Sequence, residues 1–454
     1  MDLKYIRNSH SSVNVRRSVY AFLLAVVFTG CYTTSEKYSE ENISVEDSSS
    51  VTAIEIGSVT LPLHMEAWFN AEIRSFMEAN PDIRVLARNV TTPVRPYNQT
   101  IDEIKDLPRN IIGIQTYLGN EVDYLASRNL IVPVDSFLPD TEFSYDQFYD
   151  NAFTSAQYKG KSWGVPLFMD TFFLMYDKRS FKKAGLSGPP TTWDEFLSYC
   201  EALTVDLDGD GVIDQRGVYI PPVLGIETNL WTTLDRQLGV SYLVDGEVNY
   251  DQPDIRKNLT FIRDFLVSKN TNKSWDPTFG LPIGHGNSAM MIMNNFVQHL
   301  DYVNQGVKVA LNNSNFGIAP LPTDGKAVTS SGYRIYLAVR KSTKKEEAAS
   351  WKLIKWFNRD DVSIPGYWYG YPVAKKLLER PELQRVFDGG PEGYENLFTG
   401  MENVELSDVR NGMDSAFLFL RLLDPFFEGQ ASIDSVIEGL NRSSSHLAIS
   451  QAKN

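Results

Sequence analysis

Residues 163–204 read WGVPLFMDTFFLMYDKRSFKKAGLSGPPTTWDEFLSYCEALT, and the organisation of the chain turns on how this stretch is read. It offers a short strand at Gly164, Val165 and Pro166. An apolar strand follows from Phe172 to Tyr176, with an acidic residue, Asp170, at its mouth. A lysine-rich helix start and a Gly-Pro-Pro loop come next. Thr192 and Glu195 then have the spacing of a capping box, in which each side chain satisfies an orphan amide at a helix start. Trp193, Phe196, Leu197, Cys200 and Leu203 recur at helical spacing behind it, which predicts an amphipathic helix with Cys200 buried.

Working backwards, Val51–Ile56 reads as a strand, and 65–80 as a helix with Met65, Trp68, Phe69, Ile73, Phe76 and Met77 on one face, stopped by Pro81. Strands at Ile83–Val90 and Asn110–Gln115, separated by a short amphipathic helix near Ile101–Lys105, complete a βαβαβ pattern and hence a parallel sheet. Ligands of such sheets bind beyond the carboxyl ends of the strands, which makes Ser58–Pro62 and Thr116–Leu118 candidate cleft loops. Trp68 lies on the apolar stripe and is expected in the core, whereas Tyr117 lies beyond a strand end and is a ligand candidate. In the segment Glu121–Leu138, which opens as a helix, Asn129 suits the left-handed turn that a helix C-terminus needs.

The order Gly164-x-Pro166, Tyr176, Asp177-Lys178, Ala184-Gly185-Leu186 and Pro189-Pro190-Thr191-Thr192-Trp193-x-Glu195-Phe196 resembles the extracellular solute-binding proteins of ABC importers, the maltose-binding-protein-like family. Further matches follow. Residues 283–300, IGHGNSAMMIMNNFVQHL, are similar to the family's strand that runs to the cleft and turns into a helix, with Phe296 at its tryptophan position. Phe316–Pro322 is similar to a second crossing strand, and Ile364–Pro372, IPGYWYGYP, to a third. The resemblance implies an α/β, two-lobed periplasmic-binding-protein-like fold (type II), with a ligand cleft between lobes of discontinuous chain. Residues 51–164 with 317–371 would form the N-terminal lobe, and 165–316 with 372–454 the C-terminal lobe.

The same resemblance, with the strand ends, picks out Tyr117, Asp170, Trp231, Phe296, Tyr333, Arg334, Trp368 and Tyr369 as candidate ligand contacts. The expected solute is an oligosaccharide held on aromatic faces, because flat apolar rings match sugar faces. The expected partner is an ABC permease, and the protein is expected to be a monomer. Two other readings stay open: a carbohydrate-active hydrolase, since acidic residues are too many for a paired-carboxylate site to be excluded, and a surface lipoprotein used for adhesion or sensing.

The first thirty residues read as a targeting segment: Lys4, Arg7, Arg16 and Arg17 precede the apolar run Val19–Phe28, too short to span a bilayer. Phe28-Thr29-Gly30-Cys31 is similar to a bacterial lipobox, with Phe28 where leucine is usual, so Cys31 is the expected lipidation site and membrane anchor; ordinary cleavage is the alternative. Residues 31–50, rich in Ser, Thr, Glu and Asn, read as a flexible tether, giving an extracytoplasmic, membrane-anchored protein. Loss of residues 1–30 removes four basic side chains and one acidic one, taking the formal charge from -14 to -17. A body of that sign disfavours nucleic-acid binding.

Asp206-Leu-Asp-Gly-Asp-Gly-Val-Ile-Asp214 puts carboxylates at loop positions 1, 3, 5 and 9 with Gly211 at position 6, a spacing that lets one short loop gather several oxygens around a hard cation. The expected ligands of a structural calcium are Asp206, Asp208, Asp210, the Val212 carbonyl and Asp214, with Gly217 where an EF-hand has its bidentate Glu. An acidic surface turn is the alternative. The five histidines, at 10, 64, 285, 299 and 446, lack metal-ligand spacing. No Walker loop, dinucleotide fingerprint or G-x-S-x-G elbow occurs, so no redox or nucleotide cofactor is expected.

Overall fold

A computed structural model describes residues 51–57, 63–88, 109–116, 121–220, 226–245, 247–272, 283, 286–294, 315–328, 331–362, 371–381 and 421–444, with a few single residues between 384 and 404. Three parallel strands, β1 (Thr52–Gly57), β2 (Ile83–Arg88) and β3 (Ile111–Thr116), open the fold, with helix α1 (Leu63–Ala79) between the first two. The βαβ reading therefore holds to within a residue or two for these elements; the helix expected near Ile101–Lys105 lies outside the described residues. Helix α2 (Glu121–Ser127) ends with Asn129 at φ +56°, as its place at a helix C-terminus requires. The Leu130 amide reaches back to the Leu125 carbonyl and that of Asn129 to Ala126, closing the helix end.

The stretch read as two strands is one. β4 (Val165–Asp177) runs unbroken for 13 residues. Leu167, Phe168, Met169, Phe172, Phe173, Leu174 and Met175 are all buried. Both its faces are covered, so its apolar residues form a run instead of alternating, and the strand continues from Pro166 to Phe172 although its pairing there is irregular.

Helix α3 (Lys178–Lys183) follows, and then α4 (Trp193–Ala202) with the expected capping box: the Glu195 amide donates to Thr192 Oγ1 at 3.2 Å and the Thr192 amide to Glu195 Oε2 at 3.4 Å. Cys200 is buried. Next come β5 (Arg216–Tyr219), α5 (Ile226–Gln237) and α6 (Pro253–Val267), which buries Ile255, Leu259, Ile262 and Leu266 as its periodicity predicts. Strands β6 (Thr271–Asn272), β7 (Ser288–Asn294), β8 (Phe316–Ala319) and β9 (Ser331–Val339) precede helix α7 (Lys344–Phe357). Trp351 of α7 stacks on Phe137 at 4.8 Å between ring centroids. Trp68 packs on Phe168 and Phe357, so the expectation of core packing holds for it. After β10 (Tyr371–Pro372), the described C-terminal residues are helical over 421–427, turn at Gly429 (φ +74°) and are helical again in α8 (Ile433–Ser444).

β4 joins two sheet halves. Its residues 165–171 pair antiparallel with β9, which pairs in turn with β3, giving the order β4-β9-β3-β1-β2. Its residues 172–177 pair with β7 and β8, and β7 continues parallel to β5 and β6. This is a mixed α/β, two-lobed architecture strung on a shared strand.

Candidate functional site

The two halves meet on β4 between Thr171 and Phe172, and there the pairing is irregular. Thr171 faces Ser331 and Met169 faces Arg334, so two residues of β9, Gly332 and Tyr333, stand against the single residue Asp170. Such a bulge kinks the strand and re-aims the side chains beside it, and bulges concentrate next to binding sites. A glycine within it eases the local backbone demand. Arg334 also faces Thr116, the last residue of β3, and Met169 faces Tyr371 of β10. Asn294, the last residue of β7, faces Phe172. The backbone thus brings Asp170, Gly332, Tyr333, Arg334 and the ends of β3, β7 and β10 to one place, at the carboxyl ends of parallel strands where α/β proteins bind their ligands.

Of the sequence candidates, Asp170, Tyr333 and Arg334 lie in this line. Tyr117, Phe296, Trp368 and Tyr369 lie outside the described residues, each within three positions of a strand end that converges here. Trp231 lies elsewhere. It is completely buried on α5, its ring against Tyr242 and Tyr250 at 5.9 and 6.2 Å, and it presents no face for stacking a solute. Its place on the apolar side of α5 explains this: Leu230 and Leu234 are buried with it. Thr116 heads the candidate cleft loop Thr116–Leu118, whereas Gly332, Asn294 and Tyr371 are not among the ligand candidates read from sequence. Register is invisible to a reading of periodicity; Gly332 inside the strand is the local sequence sign of a bulge.

The acidic loop is on the surface of the second half. Gly209 and Gly211 take φ +78° and +85°, the left-handed turns that let it double back. Carboxylate oxygens of Asp206, Asp208 and Asp210 lie within 4.8 Å of one another. Asp206 accepts the Gly211 and Gly209 amides at 2.8 and 2.7 Å, and these N–H bonds, that of Gly211 first, lower its pKa. Asp208 accepts the Asp210 amide at 3.1 Å and Asp210 that of Val212 at 2.7 Å. Asp214 reaches across to the Leu207 amide at 2.7 Å and is outside the convergent trio. Three converging carboxylates with free lone pairs have the chemistry of a hard-cation site.

Residues 111–363 match the bacterial extracellular solute-binding protein family, and the chain belongs to it. Members are extracytoplasmic binding proteins. Among solved structures, the chain is similar to the sugar-binding protein MalE from Xanthomonas citri, with a TM-score of 0.68 and 18% identity over 87% of this chain and 97% of that one. The GacH receptor of Streptomyces glaucescens, solved unliganded and with acarbose, gives a TM-score of 0.64 and 17% identity over 88% of this chain and 98% of that one. UgpB from Mycobacterium tuberculosis, in complex with glycerophosphocholine, gives 0.67 and 15% over 87% and 98%. At these identities the likeness is one of fold, and the maltose-binding-protein-like, two-lobed architecture is common to all.

Proposed function

We propose that this protein captures an oligosaccharide outside the cytoplasmic membrane, closes its lobes around it, and delivers it to the permease of an ABC importer, making and breaking no bond. The observation that carries this reading is the bulge at Asp170, where both halves of the sheet and the ends of β3, β7 and β10 converge. A solute held there touches both lobes and therefore favours the closed arrangement. Family membership supports the binding role. The sugar class is supported by neighbours such as MalE and the acarbose-binding GacH receptor. Tyr333 in the bulge with Asp170 and Arg334, and the aromatic residues 368 and 369 just ahead of β10 in sequence, suit a ligand with apolar ring faces and a few polar anchors. Attachment through a lipid on Cys31, a monomeric state and a calcium ion in the 206–214 loop complete the proposal.

Calorimetry with maltodextrins, sucrose-type and α-1,6-linked oligosaccharides, with product analysis on the same samples, tests it. Saturable one-to-one binding without turnover is expected, and a hundredfold excess over the dissociation constant should add about 2.7 kcal/mol to thermal stability. Asp170→Ala and Arg334→Ala should each weaken that binding about tenfold or more. Sugar cleavage would give the hydrolase reading. Unchanged affinity in both variants would remove the bulge from the site.

A further inference from the structure

Between β8 and β9 the chain passes from the second sheet half to the first: Ala319 still pairs with Leu174, and Ser331 already pairs with Thr171. A connection between moving lobes could belong to either of them. Here the first part of it is fastened to the second lobe at several points. The Thr323 amide donates to the Thr191 carbonyl at 3.0 Å, and Asp324 Oδ1 accepts the Trp193 amide at 3.2 Å, at the start of α4. The Lys326 amide donates to the carbonyl of Gln237, the last residue of α5, at 2.9 Å.

The side chain of Gln237 ties these together. It is buried, and its amide is fully used: Oε1 accepts the Trp193 indole N–H at 2.8 Å, while Nε2 donates to the Pro322 carbonyl at 2.8 Å and to the Val328 carbonyl at 3.3 Å. One side chain thus grips both ends of the 322–328 stretch. A buried amide is costly unless paired, so its partners are held as firmly as it is. A second, separate feature acts on the same stretch. Gly325 passes so close to α5 that a Cβ there would lie 2.3 Å from the Gln237 carbonyl oxygen, which only glycine allows. The side chain of one residue and the lack of one at another both press the connection onto α5.

The geometry points to Gln237 as a positioning residue that makes residues 320–328 part of the second lobe, so that none of the bending between lobes falls within this stretch of the crossing. The inference takes from the proposed function only that the lobes move relative to one another; it does not use the solute. A crossing fastened along its length leaves few dihedrals to absorb the swing, and the lobes turn about a narrow axis instead of wobbling. Deletion of the Gln237 amide frees the crossing at both ends while keeping most of the side-chain volume.

The test is the distribution of inter-lobe distances in the full chain without solute, read by paired spin labels at Glu78→Cys on α1 and Lys257→Cys on α6. Both positions are exposed. Cys31→Ala removes the competing thiol, and Cys200, buried with its thiol pKa pushed up by desolvation, does not label. Gln237→Met and Gly325→Ala should each widen the distribution roughly twofold. Trp193→Phe, which removes the indole bond but leaves both bonds to the crossing, should lower the melting temperature and keep the wild-type width. Wild-type width in both Gln237→Met and Gly325→Ala overturns the inference. Equal widening in all three variants also overturns it, since Gln237 would then serve only the general firmness of the lobe. A protein that binds no sugar would refute the proposed function and leave this measurement readable.

Discussion

The second lobe holds two groupings of aspartate that invert each other's physics. Asp235, on α5, is wholly buried: Tyr242 Oη donates to its Oδ2 at 2.8 Å and Asn258 Nδ2 to its Oδ1 at 2.7 Å. Desolvation pushes its pKa up to about 7, against the lowering pull of those two bonds and of the Arg236 charge. Asp206, Asp208 and Asp210 stand together at the surface, and backbone N–H groups, that of Gly211 foremost, hold Asp206 below the ordinary carboxylate range. Within the lobe, then, one carboxyl is a packing element that joins α5, α6 and the chain between them, and the others form an open anion cluster that water can screen.

That contrast predicts its largest effect at the buried site. Asp235→Ala takes the acceptor from Tyr242 and Asn258 and leaves a cavity between α5 and α6, which should cost about 3–5 kcal/mol at pH 5. Urea denaturation measures it, and a loss as small as that of an exposed aspartate would dissolve the contrast.

A second effect is a dependence on pH. Because the folded-state pKa of Asp235 is raised above its unfolded value, the folded protein holds a proton there that the unfolded chain has released. Its contribution to stability is therefore largest at and below the unfolded carboxylate pKa and is lost as pH rises towards 7. Between pH 5 and pH 7 the wild type should lose about 2 kcal/mol relative to Asp235→Asn, which cannot titrate. Arg236, whose guanidinium lies 4.6 Å from the Tyr242 ring centroid, and Asp254 also act on this group, and both remain in the variant. Asp206 has the opposite sign: its lowered pKa gives stability that disappears as pH falls. Parallel pH profiles for wild type and Asp235→Asn would remove the buried carboxyl from the balance.

The same contrast explains what a reader of the sequence could and could not see. Spacing is local, so the acidic loop, the Thr192 capping box, the left-handed Asn129 and the family series from Gly164 to Phe196 were all legible. Burial and register depend on residues far away in the chain. Asp235 is an unremarked polar residue on a helix until Asn258 and Tyr242 close over it, and Trp231, one turn earlier, goes to the core because the lobe needs that face of α5. β4 looked like two strands because Pro166 and Asp170 are strand-breaking types; both are accommodated by irregular pairing with β9, where register shifts fall beside each. Gln237 had no sequence signal at all, since its role comes from carbonyls at 322 and 328.

The smallest expected effect belongs to the surface cluster. Its base is fixed without any ion: Val205 and Gln215 bridge across it, and Gln215 is bonded to Ser180 Oγ at 2.9 Å and to the Leu203 carbonyl at 2.9 Å. Leu207 and Val212 within it are 65% and 59% exposed, so closing the turn buries little apolar surface. An ion can therefore add only what its own binding supplies. At a free calcium level tenfold above the dissociation constant that is about 1.4 kcal/mol, by mass action alone. Chelation should lower the unfolding free energy of the wild type by that amount, read as a fall in melting temperature, and Asp208→Ala with Asp210→Ala should abolish the sensitivity while leaving solute affinity unchanged, because the loop lies apart from the bulge at Asp170 in the strand order. Identical melting curves with and without chelator would reduce the cluster to an acidic turn whose charges are satisfied by backbone amides and water. A loss of solute affinity on chelation would instead tie the loop to the cleft, and the two groupings of aspartate would no longer be separable into packing and surface chemistry.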